Sequence, residues 1–329
     1  MRAWLIEKGA DGKNTIALGE VETPEPGPTE IRIRVAAAGL NRADLVQIMG
    51  MYPPPPGTDP RIPGLEYAGV VDKIGERVQA FAPGDRVMGL VPGCAYSEFV
   101  TVQEREAIPV PETFSFAEAA AVPEAFMTAY RAVFIEGGLR PGQACLIQPA
   151  TSGVGLAAAQ LVHALGGTAI GSSRSRDRLA RAQGLATGVI DGEDDVVQQV
   201  REATGGQGVA VVLDMLGGGG RLQQTLDCLR DEGTLVLIGL MTGRKDELDL
   251  GQLLRRRIKL KAMTMRSQAL ENRTAIAQRF MDELLPLFER GALQPVVSEV
   301  YPFEEAPAAL DAMASNRHYG KLILTLDHS

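Results

Sequence analysis

The chain has 329 residues, which is long enough for two domains. Its composition, 45% hydrophobic and 22% charged, is ordinary for a globular protein, and its formal net charge of −8 argues against binding to nucleic acid or to an anionic membrane surface, since both favour basic patches. Three widely spaced cysteines form no disulfide framework, which predicts a reducing, cytoplasmic environment.

The first ~120 residues are predicted to form short β-strands separated by turns. The run "EIRIRVAAAG" (30–39) alternates apolar and charged positions, and "GDRVMGL" (84–90) and "YSEFVTV" (96–102) follow turn signals. The proline-rich "YPPPPG" (52–57) suits neither a helix nor a central strand, so it is predicted to be a stiff surface loop.

One carboxylate in this region stands in an otherwise apolar run, "IPGLEYAGVV" (62–71). An ionised carboxylate that is buried without partners costs several kcal/mol or becomes protonated. Glu66 could therefore be a catalyst, a metal ligand or an anchor for a distant part of the chain. It could also lie on the wet face of a half-buried strand.

From about residue 125 the pattern changes to short apolar runs that alternate with helix-like stretches. The apolar runs are "ACLIQP", "GTAIGSS", "GVID", "GVAVVLDML", "GTLVLIGL" and "IKLKAMT". Because strands buried on both faces are continuously apolar, this alternation predicts an α/β fold with a parallel, doubly wound sheet. Beyond about residue 267 we expect a helix at 272–291, a strand at 296–301, a helix at 303–314 and a strand at 320–326.

The strongest local motif is "QPATSGVGLAAAQL", a strand, a loop of small residues and a helix that opens near Gly153. Small residues let the backbone approach a pyrophosphate, and a helix N-terminus offers free N–H groups. Ala150, Ser152, Gly153, Val154 and Gly155 therefore form a candidate dinucleotide-binding turn. The alternative is a merely structural tight turn between strand and helix.

About 20 residues further on, a dinucleotide fold that prefers NAD has an acidic residue for the ribose hydroxyl. Here the sequence is "GSSRSRDR", with Ser173, Arg174 and Arg178 near the end of the predicted strand. A guanidinium can bind a 2′-phosphate with two hydrogen bonds, so this pattern favours NADPH. An arginine-rich, exposed helix start is the alternative interpretation, and both can hold.

Taken in order, six motifs resemble the medium-chain dehydrogenase/reductase superfamily, in its zinc-free quinone oxidoreductase (zeta-crystallin-like) branch. The chain is most similar there to the p53-inducible quinone oxidoreductase type. The motifs are "LNRADLVQIMGMYPPPPG", "GLEYAGVV", "AAAVPEAFMTAY", "ATSGVGLAAAQL", "LDMLGG" and "GKLILTL". The resemblance implies a GroES-like β-rich catalytic domain from residues 1–124 and 267–329, and a Rossmann NADPH-binding domain from 125–266. Substrate and nicotinamide are then expected to meet in a cleft between the domains.

Zinc-dependent members of the family bind a catalytic metal at three positions, which by resemblance are Asn41, Leu65 and Glu124 here. Leucine cannot ligate zinc, and one glutamate with one asparagine does not make a catalytic zinc site. The four-cysteine lobe of the zinc enzymes is reduced to Cys94 alone. The expectation is no metal, and hence no Lewis acid for alcohol chemistry.

The resemblance also implies roles for individual residues. Asn41 and Tyr52 would face nicotinamide and substrate, and Thr128 would lie beside the nicotinamide ring. The backbone of Gly239 and Met241 would meet the carboxamide. Arg266 would close over the cleft. Ser173, Arg174 and Arg178 would bind the 2′-phosphate. One departure is Asp191, which stands where many relatives carry a tyrosine near the adenosine phosphate.

The function implied is NADPH-dependent reduction of quinones or similar conjugated carbonyls, small-molecule acceptors whose own electrophilicity draws the hydride. A 2-enoyl thioester reductase and a non-enzymatic, NADPH-binding structural or sensor protein are the alternatives. Family habit implies a homodimer. In zinc relatives the glutamate that matches Glu66 lies near a base of the C-terminal strand, so Glu66 is expected to pair with Lys321 or with Arg317.

Overall fold

The computed structural model describes residues 1–9, 12–182, 184–190 and 195–327, and its N-terminal strands follow the alternation in the sequence. The first elements are β1 (Arg2–Lys8), β2 (Asn14–Glu20), β3 (Glu30–Gly39), α1 (Arg42–Ile48), β4 (Glu66–Ile74), β5 (Arg86–Leu90), β6 (Phe99–Gln103), β7 (Ile108–Pro109) and α2 (Phe116–Ala119). In β3 the apolar side chains of Ile31, Ile33 and Val35 are buried, and the arginines between them are partly exposed.

The central elements begin with a short helix, α3 (Thr128–Tyr130), between two π-helical segments, Pro123–Met127 and Arg131–Glu136. The following elements are β8 (Ala144–Gln148), α4 (Gly153–Ala164), β9 (Thr168–Ser173), α5 (Arg176–Ala180), β10 (Thr187–Ile190), α6 (Val196–Ala203), β11 (Val209–Asp214), α7 (Leu222–Asp227), β12 (Leu229–Leu237), α8 (Leu250–Arg256) and β13 (Lys259–Ala262). The last elements are α9 (Leu270–Glu283), α10 (Leu285–Glu289), β14 (Val297–Pro302), α11 (Ala306–Ala314) and β15 (Lys321–Thr325), with 3₁₀ turns at Glu104–Glu106 and Phe303–Glu305.

The chain divides into two compact units. Unit 1 consists of Met1–Met127 and Met265–Ser329, and unit 2 of Thr128–Thr264. The domain bounds expected from the sequence, 1–124, 125–266 and 267–329, stay predictions. Within the described ranges, no helix has both the length and the apolar character needed to cross a lipid bilayer.

Unit 1 is built around a mixed sheet in the order β14-β15-β3-β4-β5-β7, with β6 paired to β3. The C-terminal strand β15 lies antiparallel to β3, with Ile323 opposite Gly39, and β3 lies antiparallel to β4, with Ala38 opposite Tyr67. This register brings the start of β15, the end of β3 and the start of β4 together. Residues far apart in sequence therefore share one buried corner of unit 1.

Unit 2 contains a parallel sheet in the order β10-β9-β8-β11-β12-β13. All six residues of β11 are buried, as expected for a strand covered on both faces. The strands are added outwards from β8 to β10 on one side and from β11 to β13 on the other, so the strand order reverses between β8 and β11. Ligands of such folds bind at that point, beyond the carboxyl ends of the strands. The two units confirm the predicted fold class, a Rossmann doubly wound sheet with a second, β-rich domain.

Two local predictions need correction. Helix α1 lies in a region for which only strands and turns were predicted; its start, Asn41 followed three residues later by Asp44, is a helix-capping pattern. The single helix predicted at 272–291 is two helices, α9 and α10, separated at Leu284. Pro286 explains the break, because proline has no N–H for the carbonyl of residue 282 and its ring clashes there.

Candidate functional site

The turn between β8 and α4 lies at the point in unit 2 where the strand order reverses. Helix α4 begins at Gly153, and the Ser152 hydroxyl accepts a hydrogen bond from the N–H of Gly155 at 3.0 Å. A Cβ added at Gly155 would lie 2.3 Å from the carbonyl oxygen of Pro149, so only glycine lets the helix start this close to the loop. Ala150, which precedes this start, is fully buried. The turn has the close backbone approach that a pyrophosphate requires.

The neighbouring strand β9 ends in hydroxyl and guanidinium groups. Ser173 is 8% exposed, and its hydroxyl accepts the N–H of Ser175 at 3.2 Å. Arg174 is exposed, and Arg178 lies in the first turn of α5, which Ser175 caps. From Ser172 to Arg176 there is no carboxylate. Asp191 lies outside the described residues.

Three further predicted residues lie in unit 2. The buried hydroxyl of Thr128 has no hydrogen-bond partner among the described residues. Gly239 follows β12, and a Cβ there would lie 2.7 Å from the carbonyl oxygen of Met215. The N–H of Met241 donates to that same oxygen at 3.3 Å. The buried hydroxyl of Thr128, which lacks a partner among the described residues, and the turn between β8 and α4, which requires glycine at residue 155, fit the binding of a dinucleotide.

In unit 1 the Glu66 carboxylate is at the centre of a buried polar cluster that consists of Asn41, Asp44, Glu66, Tyr96 and Lys321. Glu66 is 0% exposed and lies 2.6 Å from the Lys321 ammonium. The same ammonium donates to the Asn41 amide oxygen at 2.6 Å and to the Leu40 carbonyl at 2.7 Å. The predicted pairing of Glu66 with Lys321 is therefore confirmed, and the alternative partner, Arg317, is exposed.

Both oxygens of Glu66 are satisfied. Oε1 also accepts the Asn41 amide at 2.9 Å, and Oε2 accepts the backbone N–H of Glu124 at 2.7 Å. The carboxylate fits only because residue 39 is glycine, since a Cβ there would lie 2.2 Å from Oε1. Glu66 thus joins β4 to the C-terminal strand and to the segment that leads to Glu124.

Asp44 closes the other side of the cluster. Its carboxylate accepts the Asn41 N–H at 2.7 Å, the Tyr96 hydroxyl at 2.8 Å and the Gly64 N–H at 3.3 Å. Burial raises the pKa of Asp44 to about 6, against the lowering effect of these hydrogen bonds. Sequence reasoning missed Asp44 and Tyr96, although the Asn-x-x-Asp spacing was a usable signal for the first.

The three positions that hold zinc in relatives do not fit a metal here. The amide of Asn41 is occupied on both sides, by a carboxylate and by an ammonium ion. Leu65 is apolar and 3% exposed. Across the ranges that the structure describes, no three His, Cys, Asp or Glu side chains are grouped so as to hold a metal ion. No step of a mechanism can therefore be assigned to zinc at this place.

Arg266 fixes the proline-rich loop within unit 1. Its guanidinium donates to the carbonyl oxygens of Pro92 at 2.6 Å and Tyr52 at 2.7 Å, and to the Gln47 side chain at 2.6 Å. It also lies 5.0 Å from the centroid of the Tyr52 ring, which adds a cation–π contact. Burial raises the pKa of the Tyr52 hydroxyl, with a smaller contribution from Glu124. Sequence reasoning missed Gln47 and this use of Arg266.

A small cavity of about 20 Å³ in unit 1, room for about one water molecule, lies beside the buried polar cluster. The residues that line it include Leu65, Glu106, Glu124, Arg266 and Arg273. Glu106 and Arg273 form an ion pair at 2.6 Å. Burial, and next the charge of Glu66, raises the pKa of Glu124 to about 8.

Two family descriptions match the chain: Alcohol dehydrogenase GroES-like domain over residues 27–129, and Zinc-binding dehydrogenase over residues 186–324. The synaptic vesicle membrane protein VAT-1 homolog of Rattus norvegicus is 32% identical over 92% of this chain and 78% of its own length. The spectinabilin polyketide synthase system protein NorB of Streptomyces orinoci is 37% identical over 91% of this chain, but the chain spans only 13% of NorB.

Solved structures of oxidoreductases superpose on almost the whole chain. The Pseudomonas syringae quinone oxidoreductase has a TM-score of 0.87 at 28% identity and covers 99% of this chain and 100% of its own. The Escherichia coli quinone oxidoreductase complexed with NADPH has a TM-score of 0.85 at 27% identity, with 98% and 99% covered. CurK enoyl reductase has a TM-score of 0.83 at 26% identity, with 98% and 99% covered. The chain therefore belongs to the medium-chain dehydrogenase/reductase superfamily, whose members are oxidoreductases that bind a nicotinamide cofactor.

Proposed function

We propose that the protein is a zinc-independent NADPH:quinone oxidoreductase, which reduces quinones or similar conjugated carbonyls by hydride transfer. The observation that carries the proposal is the occupied amide of Asn41. Where zinc relatives place a metal ligand, Lys321 and Glu66 saturate this amide, and the next ligand position is the apolar Leu65. Without a Lewis acid the acceptor has to be electrophilic on its own, which suits quinones and enones better than alcohols or simple ketones.

NADPH is the proposed cofactor and supplies the hydride when it is bound. Support comes from the end of β9, where Ser173, Arg174 and Arg178 offer hydrogen bonds to a 2′-phosphate and no carboxylate competes up to Arg176. The resemblance to an NADPH complex of a quinone oxidoreductase agrees with this choice. In the proposal, the turn from Ala150 to Gly155 binds the pyrophosphate and the orphaned hydroxyl of Thr128 binds the nicotinamide side.

The remaining predicted residues orient the reactants. Asn41 is held in place by its two charged neighbours, Glu66 and Lys321, and the next ligand position of zinc relatives is the apolar Leu65. Tyr52 shapes the acceptor pocket. The guanidinium of Arg266 holds Tyr52 in place, because it lies over the Tyr52 ring and donates a hydrogen bond to the Tyr52 carbonyl. The backbone of Gly239 and Met241 is proposed to contact the carboxamide. Arg266 acts in this scheme by positioning Tyr52.

A 2-enoyl thioester reductase is the second candidate, because CurK enoyl reductase is among the structural neighbours and NorB, a polyketide synthase system protein, is among the relatives. A conjugated thioester is electrophilic in the same way as an enone, so the metal-free site does not discriminate between them. A protein that binds NADPH without reducing any acceptor is the non-enzymatic alternative.

We also propose a homodimer in the cytoplasm. Strand β13 is an edge of the unit 2 sheet, and exposed leucines lie on and beside it: Leu260 is 46% exposed, Leu250 71% and Leu254 81%. An exposed edge with large apolar side chains is typical of a surface that pairs with another chain. The three cysteines are free, which agrees with a reducing compartment. Light scattering that gives the mass of a monomer would refute the dimer.

The test of the proposed function is a screen of NADPH oxidation. The purified protein is mixed with NADPH and, in turn, ortho-quinones, para-quinones, enones and enoyl-CoA thioesters, with simple ketones as the control. Faster oxidation with quinones and enones than with ketones is expected. Turnover of enoyl-CoA alone would favour the second candidate, and tight NADPH binding without any turnover would favour the non-enzymatic alternative.

A further inference from the structure

Gln47 lies in helix α1 and is a buried glutamine to which the proposed reaction so far gives no task. The residue is 4% exposed. Its amide oxygen accepts a hydrogen bond from the Arg266 guanidinium at 2.6 Å, and its amide nitrogen donates to the Pro60 carbonyl at 3.1 Å. A guanidinium only donates and a carbonyl oxygen only accepts, so the side chain between them has to do both. A glutamine amide meets this requirement, whereas a carboxylate or a thioether does not.

The Arg266 guanidinium depends on neutral acceptors. Its Nε donates to the Pro92 carbonyl at 2.6 Å, its Nη1 to the Tyr52 carbonyl at 2.7 Å and its Nη2 to Gln47. Arg266 is 5% exposed, and a buried charge relies on each of its hydrogen bonds. Because the other two acceptors are backbone carbonyls, Gln47 is the acceptor of this set that a side-chain substitution can remove.

Gln47 and Arg266 together hold the proline-rich loop at two places. Arg266 holds Tyr52 by its carbonyl and lies 5.0 Å from the centroid of its ring, and Gln47 holds Pro60. Between these places the four consecutive prolines at 53–56 have no N–H groups with which to make backbone hydrogen bonds. The position of the loop therefore depends strongly on these side-chain contacts.

We propose that Gln47 is a positioning residue for the acceptor. It fixes the Arg266 guanidinium and Pro60, and thereby holds Tyr52 in the place where it shapes the acceptor pocket. This inference rests on the proposed function, in which Tyr52 has that role. Gln47 acts only through Arg266 and the loop, and it takes no part in the transfer of the hydride.

The first measurement follows the Tyr52 ring without using activity. Gln47→Met keeps the length of the side chain and removes both of its hydrogen bonds. With the guanidinium released from its ring, Tyr52 should be nitrated by tetranitromethane faster than in the unsubstituted protein, as measured by mass spectrometry of the Tyr52 peptide. Tyr96, which is 0% exposed, should stay unreactive in both proteins if the fold is intact. Equal rates of Tyr52 nitration would overturn the inference.

The second measurement separates the acceptor KM from kcat with an ortho-quinone. Gln47→Met should raise the acceptor KM and lower kcat/KM by up to about 10²-fold, the loss that a misplacement of about 1 Å can cause. The NADPH dissociation constant should stay unchanged. Loss of packing alone would instead reduce the amount of active protein, so that kcat would fall at constant KM. An unchanged acceptor KM would overturn the inference.

Gln47→Glu distinguishes positioning from packing. This variant keeps an acceptor for the Arg266 guanidinium and loses only the donor to the Pro60 carbonyl. The acceptor KM should therefore stay closer to that of the unsubstituted enzyme in Gln47→Glu than in Gln47→Met. If Gln47 only fills space in the core, the order should be reversed, because a buried carboxylate is tolerated less well than a thioether.

Gln103→Met is the matched control, because it replaces another glutamine of unit 1 whose amide oxygen accepts a hydrogen bond, from the Thr29 hydroxyl at 2.9 Å. It should change neither Tyr52 nitration nor the acceptor KM. A protein that reduces quinones with the same acceptor KM in all of these variants would overturn the role of Gln47 and leave the proposed function standing. A protein that reduces no acceptor at all would refute the proposed function, and this inference with it.

Discussion

Replacing Glu66 by glutamine removes the negative charge at the centre of the buried polar cluster and keeps the shape of the side chain. Lys321 is 5% exposed, and its ammonium would then have only neutral acceptors, which are the Leu40 carbonyl, the Asn41 amide and the new glutamine amide oxygen. Breaking one side of a buried ion pair costs ~3–5 kcal/mol, because the other charge is left without compensation. The Glu66→Gln protein should therefore be less stable by about this amount.

Differential scanning calorimetry measures the effect. For a unit of this size, 1 kcal/mol corresponds to a change of about 2–4 °C in Tm, so unit 1 of Glu66→Gln should melt roughly 10 °C lower. Glu25→Gln is the control, because it removes a carboxylate that faces Lys73 at the exposed surface. It should leave Tm nearly unchanged.

The double variant Glu66→Gln/Lys321→Met separates the ion pair from its surroundings. Because it removes both charges, it should be more stable than Glu66→Gln alone. Together with the Lys321→Met single variant, it completes a double-mutant cycle that gives the coupling energy of the pair. Turnover should fall only as far as folding does. A Glu66→Gln protein that melts like the unsubstituted one and yet is inactive would refute the anchoring role and make Glu66 a catalytic group.

Three further results are expected. Replacing Arg174 and Arg178 by alanine should raise the NADPH dissociation constant much more than that for NADH, since each lost charged hydrogen bond is worth ~1.5–3 kcal/mol; equal effects in fluorescence titrations with both cofactors would refute the assignment of the 2′-phosphate site. Tyr52→Phe should lower kcat with a quinone by less than the ~10²–10⁴-fold typical of a lost general acid; a loss at the upper end, with NADPH binding intact, would make Tyr52 the proton donor. Metal analysis of the purified protein should find no stoichiometric zinc, and one zinc per chain would contradict the reading of Asn41 and Leu65.

Much of the fold could be predicted because its signals are local. The alternation at 30–39 and the apolar runs from "ACLIQP" onwards became β3 and the strands of the parallel sheet, and the small-residue turn became the start of α4 at Gly153. The break between α9 and α10 was also a local signal, in Pro286, but the periodic apolar pattern on both sides of it suggested one helix.

The pairing of Glu66 with Lys321 could be predicted only through the resemblance, since the two residues are 255 positions apart and nothing in their own segments joins them. The long-range contacts of Tyr96 and Arg266 could not be predicted for the same reason. Tyr96 reaches Asp44 across 52 residues, and Arg266 reaches Gln47 across 219. The raised pKa of Glu124 depends on burial first and on the charge of Glu66 second, and three-dimensional packing decides both.

We propose that the protein reduces conjugated acceptors with NADPH and without a metal. The most direct measurement is the rate of NADPH oxidation with an ortho-quinone before and after exhaustive removal of divalent metals by a chelator. The account predicts the same kcat and KM in both preparations, because Lys321 and Glu66 hold Asn41 where relatives bind zinc. Turnover that disappears with the chelator and returns with added zinc would contradict it.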